Sequence, residues 1–278
     1  MELLKIRQEL IIDLKEDFPE LIDKFNHFIL SQFQSKKNTV VHLTFIRTTE
    51  SLPKEVVIKI FRNDNAETEY DILKQLYKQE ILVPNIIFYK KPYLILEKIE
   101  GINLCDFINY RLYRVADLDS LDTKPKKELL MCIERLANWL SKLHINNIIE
   151  DKEHAHTKVL NKGDTRLRDF IYNLSDDQIY GVDFEDSYVG NHIDDIAWIC
   201  CSLLDTNPGI FEKNHPKAKI ELINVFLKSY YSINPETFFD FKYFTEKLIE
   251  NLNTVMSRRG IDMTLQPSRF LEAISKDM

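Results

Sequence analysis

Apolar residues change their period along the chain, and the change divides it. Between residues 28 and 61 they gather in three short runs rich in β-branched and aromatic side chains, which predicts three strands. Residues 65–80 carry Ile72, Leu73 and Leu76 at helical spacing, and residues 86–97 return to two strand-like runs. From Lys98 onward the spacing is helical, with one interruption. Phe170-Ile171-Tyr172 and Gln178-Ile179-Tyr180-Gly181-Val182 flank the turn-rich Asn173-Leu174-Ser175-Asp176-Asp177, a hairpin pattern. Residues 3–25 read as one or two amphipathic helices broken near Pro19, and residues 114–127, rich in Asp and Lys, read as an exposed loop. The late aromatics Tyr230, Tyr231, Phe238, Phe239, Phe241, Tyr243 and Phe244 are expected in the core of C-terminal helices.

The hairpin is bracketed by acids. Asp164 and Asp169 precede it and Asp183 follows it. A hairpin returns its outer ends to one place, so these carboxylates are expected to converge. Converging carboxylates repel unless a cation lies between them, and hard oxygen ligands suit Mg²⁺. Far upstream, Glu55-Val56-Val57-Ile58-Lys59-Ile60-Phe61 reads as a buried strand with one lysine, which needs an anionic partner. Glu67 and Glu69 of the following helix both compete for it. A strand lysine, a helix glutamate and downstream metal-type aspartates are the parts of phosphoryl transfer from ATP.

The chain resembles the aminoglycoside phosphotransferase and choline kinase-like family, of the protein-kinase-like superfamily. Val57-Ile58-Lys59 is similar to the V-A-I-K strand, and Glu69 with Val83-Pro84 to the helix glutamate and the segment after it. The run from Tyr93 to Gly101 resembles the last strand and hinge, and Leu143-His144 the end of the helix before the catalytic loop. Gly163-Asp164 resembles the H-G-D loop, Val182-Asp183-Phe184-Glu185 the metal motif, and Asp195-Ile196-Ala197 a helix start. The motifs stand in the family's order over residues 30–270.

The resemblance implies an α+β, two-lobed protein-kinase-like fold. A small β-rich lobe with one helix is expected over residues 1–98 and a larger, mostly helical lobe over residues 99–278. It implies an ATP- and Mg²⁺-dependent kinase that phosphorylates a hydroxyl of a small molecule. Asp164 would take or orient the hydroxyl proton, Asp169 and Asp183 would hold Mg²⁺, and Lys59, braced by Glu69, would hold phosphates. The Glu97 carbonyl and the Ile99 N–H would meet adenine. Asp195 would hold the catalytic loop from its helix, with Asp194 at the surface.

Three departures keep a nucleotide-binding pseudokinase or scaffold as an alternative. Lys162 stands where the family has His, Asp169 stands where it has Asn, and no glycine precedes Gly101. The phosphate loop is instead assigned to Gln34-Ser35-Lys36-Lys37-Asn38-Thr39, with Asn38 and Thr39 at its end and backbone N–H groups or a lysine toward phosphate. A protein kinase is the other alternative; about a dozen residues between Asp183 and Asp195 leave little room for a peptide-binding segment, which favours a small acceptor. Arg166 either steadies the transferring phosphate or neutralises nearby acids, and Arg168 is read as the latter.

Composition narrows the classes further. A net charge of −7 argues against a nucleic-acid partner. No apolar run reaches membrane-spanning length and the first residues lack a signal-peptide pattern, so no membrane partner and a cytoplasmic location are expected. Cys105, Cys132, Cys200 and Cys201 lack metal-type spacing, and the adjacent pair is expected in the core. His154 and His156 read as loop residues, and Arg258 and Arg259 as solvent-facing.

Overall fold

The computed structural model describes residues 8, 12, 28–33, 37–46, 53–62, 65–149, 158–206, 209, 217–261 and 274. Apart from residues 8 and 12, the expected helices before residue 26 lie outside these, as do residues 34–36 of the expected phosphate loop, His154 and His156. The described residues fall into two compact units. One reaches Lys78 and takes up Val83–Ile99, and the other takes Gln79–Leu82 and the chain from Glu100.

The first unit is an antiparallel sheet with strands β1 (Phe28–Phe33), β2 (Thr39–Phe45), β3 (Glu55–Ile60), β4 (Ile86–Lys90) and β5 (Tyr93–Glu97), in the order β1-β2-β3-β5-β4. Strand β2 alternates strictly between buried and half-buried positions, as a strand with one covered face must. Val41, Leu43, Val56, Ile58 and Ile95 build that covered face with Phe28, Phe45 and Tyr93. Side chains alternate along β3, so Lys59 points away from the face of Val56 and Ile58. Helix α1 (Ala66–Lys78) buries Ala66, Glu69, Leu73 and Leu76, a single stripe at spacings of three and four. Glu67 and Glu69 in its first turn and Lys78 in its last complement the helix dipole.

The second unit carries helices α2 (Leu104–Arg111), α3 (Thr123–Asn146), α4 (His192–Asp205), α5 (Lys217–Ile233) and α6 (Phe241–Arg258). Helix α3 packs on α5, and α4 on α6. Leu136, Leu140 and Leu143 of α3, Ile196 and Cys200 of α4, Phe226 of α5 and Leu248 of α6 are fully buried, so the thiol pair is indeed core. The hairpin forms as strands β9 (Phe170–Asn173) and β10 (Gln178–Gly181), with Tyr172 opposite Ile179.

Three readings need correction. Besides the hairpin the second unit has short strands β6 (Ile102–Asn103), β7 (Ile148–Ile149), β8 (Lys158–Asn161) and β11 (Tyr188–Asn191). β6 pairs with β9, and β8 lies between β11 and β7. Runs of two to four residues are too short to show a period against a helical background. Residues 114–127 are not all loop. Leu118 is buried in a short 3-10 turn, and α3 begins at Thr123, so the lysines there crown a helix start. In the aromatic cluster Tyr230 and Phe244 are core, whereas Phe238 is exposed.

Candidate active site

Strand β8 delivers the chain into residues 162–166, a loop that regular hydrogen bonding leaves unsupported. Asp195, in the first turn of α4, supplies the support. Its buried carboxylate accepts the N–H of Lys162 at 2.7 Å and that of Gly163 at 3.1 Å, and it takes the Thr165 hydroxyl. On its other side it faces His144 Nε2 at 3.2 Å, and His144 Nδ1 lies 2.7 Å from the Tyr230 hydroxyl. Burial pushes the Asp195 carboxyl up, but the contacts with His144, Thr165 and the Lys162 N–H outweigh it and hold the group below its ordinary range. Gly163 is required here. Its φ is +73°, and a Cβ would stand 2.0 Å from the Asp186 carbonyl oxygen.

The loop presents Asp164 with φ +40°, a left-handed conformation that costs a non-glycine residue energy. Arg166 Nη2 lies 3.0 Å from Asp164 Oδ2, and Arg166 Nε 3.5 Å from Asp169 Oδ2. Arg258, at the end of α6, brings Nη1 to 3.8 Å from Asp164 Oδ1, with its guanidinium over Trp198. That oxygen is buried and has no hydrogen-bond donor among the described residues.

A 3-10 turn (Leu167–Asp169) then leads into the hairpin. Tyr172 Oη and the Arg135 guanidinium both bind Asp177 and fix the hairpin turn, while the Trp139 ring covers its far end at Gly181, where a Cβ would fall 2.3 Å from the ring. The Val182 N–H donates to the Asp169 carbonyl at 2.9 Å, so the two ends of the hairpin do close on each other. Asp183 follows, exposed and again left-handed at φ +66°. Asp169 is buried, and that burial pushes its carboxyl up. Lys162 and Arg166 pull it back, and Asp183 and Asp164 push it further up. This mutual repulsion is the electrostatic condition under which a divalent cation is welcome, and carboxylate oxygens are the ligands Mg²⁺ takes.

In the first unit, Lys59 Nζ and Glu69 Oε2 lie 2.6 Å apart, both side chains buried. Glu67 turns away to Lys91 at 2.9 Å, which decides between the two glutamates. Asn38 and Thr39 are buried, and their side-chain oxygens accept from Arg62, at 3.3 Å from its N–H and 3.1 Å from Nη2. Their side chains therefore fasten the start of β2 to Arg62, just past β3. Glu97 closes β5, its N–H bonded to the Asn85 carbonyl and its carboxylate to the Asn85 amide, and Ile99 ends the unit.

Further residues around these loops have defined contacts. Lys162 donates its Nζ to the Asp183 carbonyl at 2.8 Å. Arg258 approaches Asp164, and Arg259 pairs with Asp205 at 2.6 Å, so neither simply faces solvent. Asp194 accepts the hydroxyls of Tyr188 and Tyr243 at 2.9 and 2.8 Å. Arg168 is exposed, its carbonyl accepts the Asn103 amide, and, where burial pushes the Asp205 carboxyl up, its charge helps pull it down. No helix is long and apolar enough to cross a membrane among the described residues.

No family model and no curated protein matches the sequence. Solved structures do resemble it. An aminoglycoside phosphotransferase, APH(2″)-IIa, in a ternary complex with streptomycin and ATP aligns with a TM-score of 0.55 at 14% identity, covering 87% of this chain and 89% of that one. A choline kinase from Cryptosporidium parvum aligns with a TM-score of 0.52 at 15% identity, covering 97% and 92%. An amicoumacin kinase in complex with AMP-PNP and Ca²⁺ aligns with a TM-score of 0.52 at 14% identity, covering 99% and 93%. The chain thus has the α+β protein-kinase-like fold that these small-molecule kinases share.

Proposed function

We propose that the protein is a kinase of the aminoglycoside phosphotransferase and choline kinase-like group, which transfers the γ-phosphate of ATP to a hydroxyl of a small molecule. The observation that carries this reading is Asp164, held left-handed on a loop that Asp195 pins, with a buried carboxylate oxygen lacking a donor. A buried acceptor without a donor is rare, and an acceptor hydroxyl is the donor this oxygen suits. The hydroxyl oxygen forms the new bond to the γ-phosphorus, the bond from phosphorus to the ADP oxygen breaks, and the hydroxyl proton passes to Asp164.

Asp169 and Asp183 are the residues that would hold Mg²⁺, which when bound neutralises phosphate charge. Lys59, braced by Glu69, meets the α- and β-phosphates. Asn38 and Thr39 shape the loop over them, and Glu97 and Ile99 offer backbone groups to adenine. Arg166, which spans Asp164 and Asp169, would steady the charge that develops on the γ-phosphoryl oxygens. The lysine at 162, the aspartate at 169 and the glycine-free phosphate loop favour a second reading, a nucleotide-binding protein without turnover.

A thermal shift with Mg²⁺, ATP and both separates these readings. A ligand bound by the folded state alone adds roughly 2.7 kcal/mol at one hundred times its Kd. The kinase reading expects a shift that needs both components and is lost in Asp183→Asn. It also expects ADP release with an acceptor from a panel of streptomycin, choline and ethanolamine, abolished by Asp164→Asn without loss of the shift. A shift with no turnover on a broad panel of alcohols selects the second reading, and no shift in the intact protein rejects both.

A further inference from the structure

Lys162 is 1% exposed, yet its ammonium donates to a main-chain carbonyl, that of Asp183. Its other polar groups are also engaged: the N–H with Asp195, and the carbonyl with the Ser187 hydroxyl at 2.9 Å. Nζ sits 5.7 Å from the centre of the Phe170 ring and 5.2 Å from that of Phe184, and both rings are fully buried. A lysine in such surroundings is expensive unless negative charge lies near. The Lys162 charge pulls the Asp169 carboxyl down, while Asp183, whose main-chain carbonyl the ammonium holds, pushes it up. Arg166 serves Asp169, and Asp164 with it, from the wetter side, with a quarter of its side chain exposed, where solvent screens it more strongly.

We infer that the Lys162 ammonium is a resident cation of the acidic loops, balancing Asp169 and Asp183 and fixing the Asp183 backbone before any divalent ion binds. Only the part played by the metal rests on the function proposed above. The balance between lysine and aspartate concerns the protein without metal or nucleotide. With the lysine in place the carboxylates approach one another unaided. Without it they are left mutually repelling, and a divalent ion becomes a requirement for the local fold. Packing or a simple hydrogen bond would create no such dependence.

The test is a cycle of Lys162→Met, Asp169→Asn and the double variant, melted in EDTA and again in MgCl2 without nucleotide. Methionine keeps the length and apolar stem and removes the charge. In EDTA, Lys162→Met is expected to melt about 10 °C below the parent, as loss of one partner from a buried charge cluster implies. Asp169→Asn in that background is expected to restore most of the loss, and Mg²⁺ to raise the Lys162→Met protein more than the parent. Equal loss with and without Mg²⁺, together with no recovery in the double variant, would overturn the inference. If Lys162→Met does not fold, recovery of a folded double variant supports the charge balance and failure of both rejects it. A parent protein that ignores Mg²⁺ and ATP together would sink the kinase reading, while the EDTA arm still decides this one.

Discussion

The ammonium of Lys59 lies 2.6 Å from the carboxylate of Glu69, and neither side chain reaches bulk solvent. One comes from near the end of β3 and the other from the first turn of α1, so the pair fastens the helix to the sheet. Two buried charges gain little net stability from each other, but either one alone is costly. Glu69→Gln is therefore expected to destabilise the protein by about 3 to 5 kcal/mol in urea denaturation. Lys59→Met combined with Glu69→Leu is expected to cost much less than the two single changes added together. The same double variant should lose any ATP-dependent thermal shift, since it abandons the lysine proposed to meet the phosphates. Additive losses in the cycle would mean that the contact carries no coupling.

Asp195 acts through hydrogen bonds alone and touches no reacting atom in the proposed site. Asp195→Ala leaves the Lys162 and Gly163 N–H groups, the Thr165 hydroxyl and His144 without their acceptor. Each buried orphan costs about 1 to 3 kcal/mol, so a loss of at least about 3 kcal/mol is expected. Amide hydrogen exchange offers a local readout. The N–H groups of Lys162 and Gly163 should exchange far faster in the variant even after the global loss of stability is allowed for. Unchanged protection at these two amides would show that something other than Asp195 holds the loop.

His192 supplies a pH dependence. It is buried against Tyr230 with Nε2 3.1 Å from the Tyr231 hydroxyl, and burial, with His144 adding to it, depresses its pKa to about 3. The unfolded chain takes up this proton near pH 6.5, whereas the folded protein resists it down to about 3. Below pH 6.5 the unfolded state thus binds more protons, and stability falls as pH falls, by up to about 1.4 kcal/mol per pH unit from this one group. Urea titrations at pH 7.5, 6.5 and 5.5 should show a shallower decline in His192→Phe than in the parent. Equal slopes in the two proteins would place the titration elsewhere.

The strands and helix of the first unit were legible because β2, β3 and α1 each bury one face over six residues or more, long enough for a period to show. The brief strands β6, β7, β8 and β11 were not. Two to four residues carry no period, and their partners lie distant in sequence. Among the site residues, Asp164, Asp169 and Asp183 announced themselves through their spacing around a hairpin. Lys162 and Arg258 did not, because their contacts depend on where a side chain points. Lys162 follows a short strand yet turns its ammonium to a carbonyl twenty-one residues later. Arg258 reaches Asp164 only because α6 packs on α4. The choice of Glu69 over Glu67 rested on the family resemblance, through its spacing to Leu76 and Pro84, and the structure supplies the physical reason: Glu69 lies on the buried stripe with Leu73 and Leu76.

Arg258 gives a test of the acceptor side. Its guanidinium stands 3.8 Å from the Asp164 oxygen that lacks a donor, while Arg166 occupies the other oxygen and reaches on to Asp169. The two arginines therefore differ in what they join. Arg166 links the proposed base to the metal loop, and Arg258 links it to α6. About half of the Arg258 side chain is exposed, so the pair itself adds little, about 1 kcal/mol or less. Arg258→Ala should leave the Tm and the Mg²⁺- and ATP-dependent shift nearly unchanged, yet lower kcat/KM for the acceptor about tenfold, worth about 1.4 kcal/mol of transition-state stabilisation. Arg166→Ala should instead weaken the nucleotide-dependent shift as well, because the γ-phosphate would lose the guanidinium proposed to steady it. If Arg258→Ala erased the nucleotide shift and Arg166→Ala spared it, the assignment of the two arginines to the acceptor and nucleotide sides of Asp164 would have to be reversed.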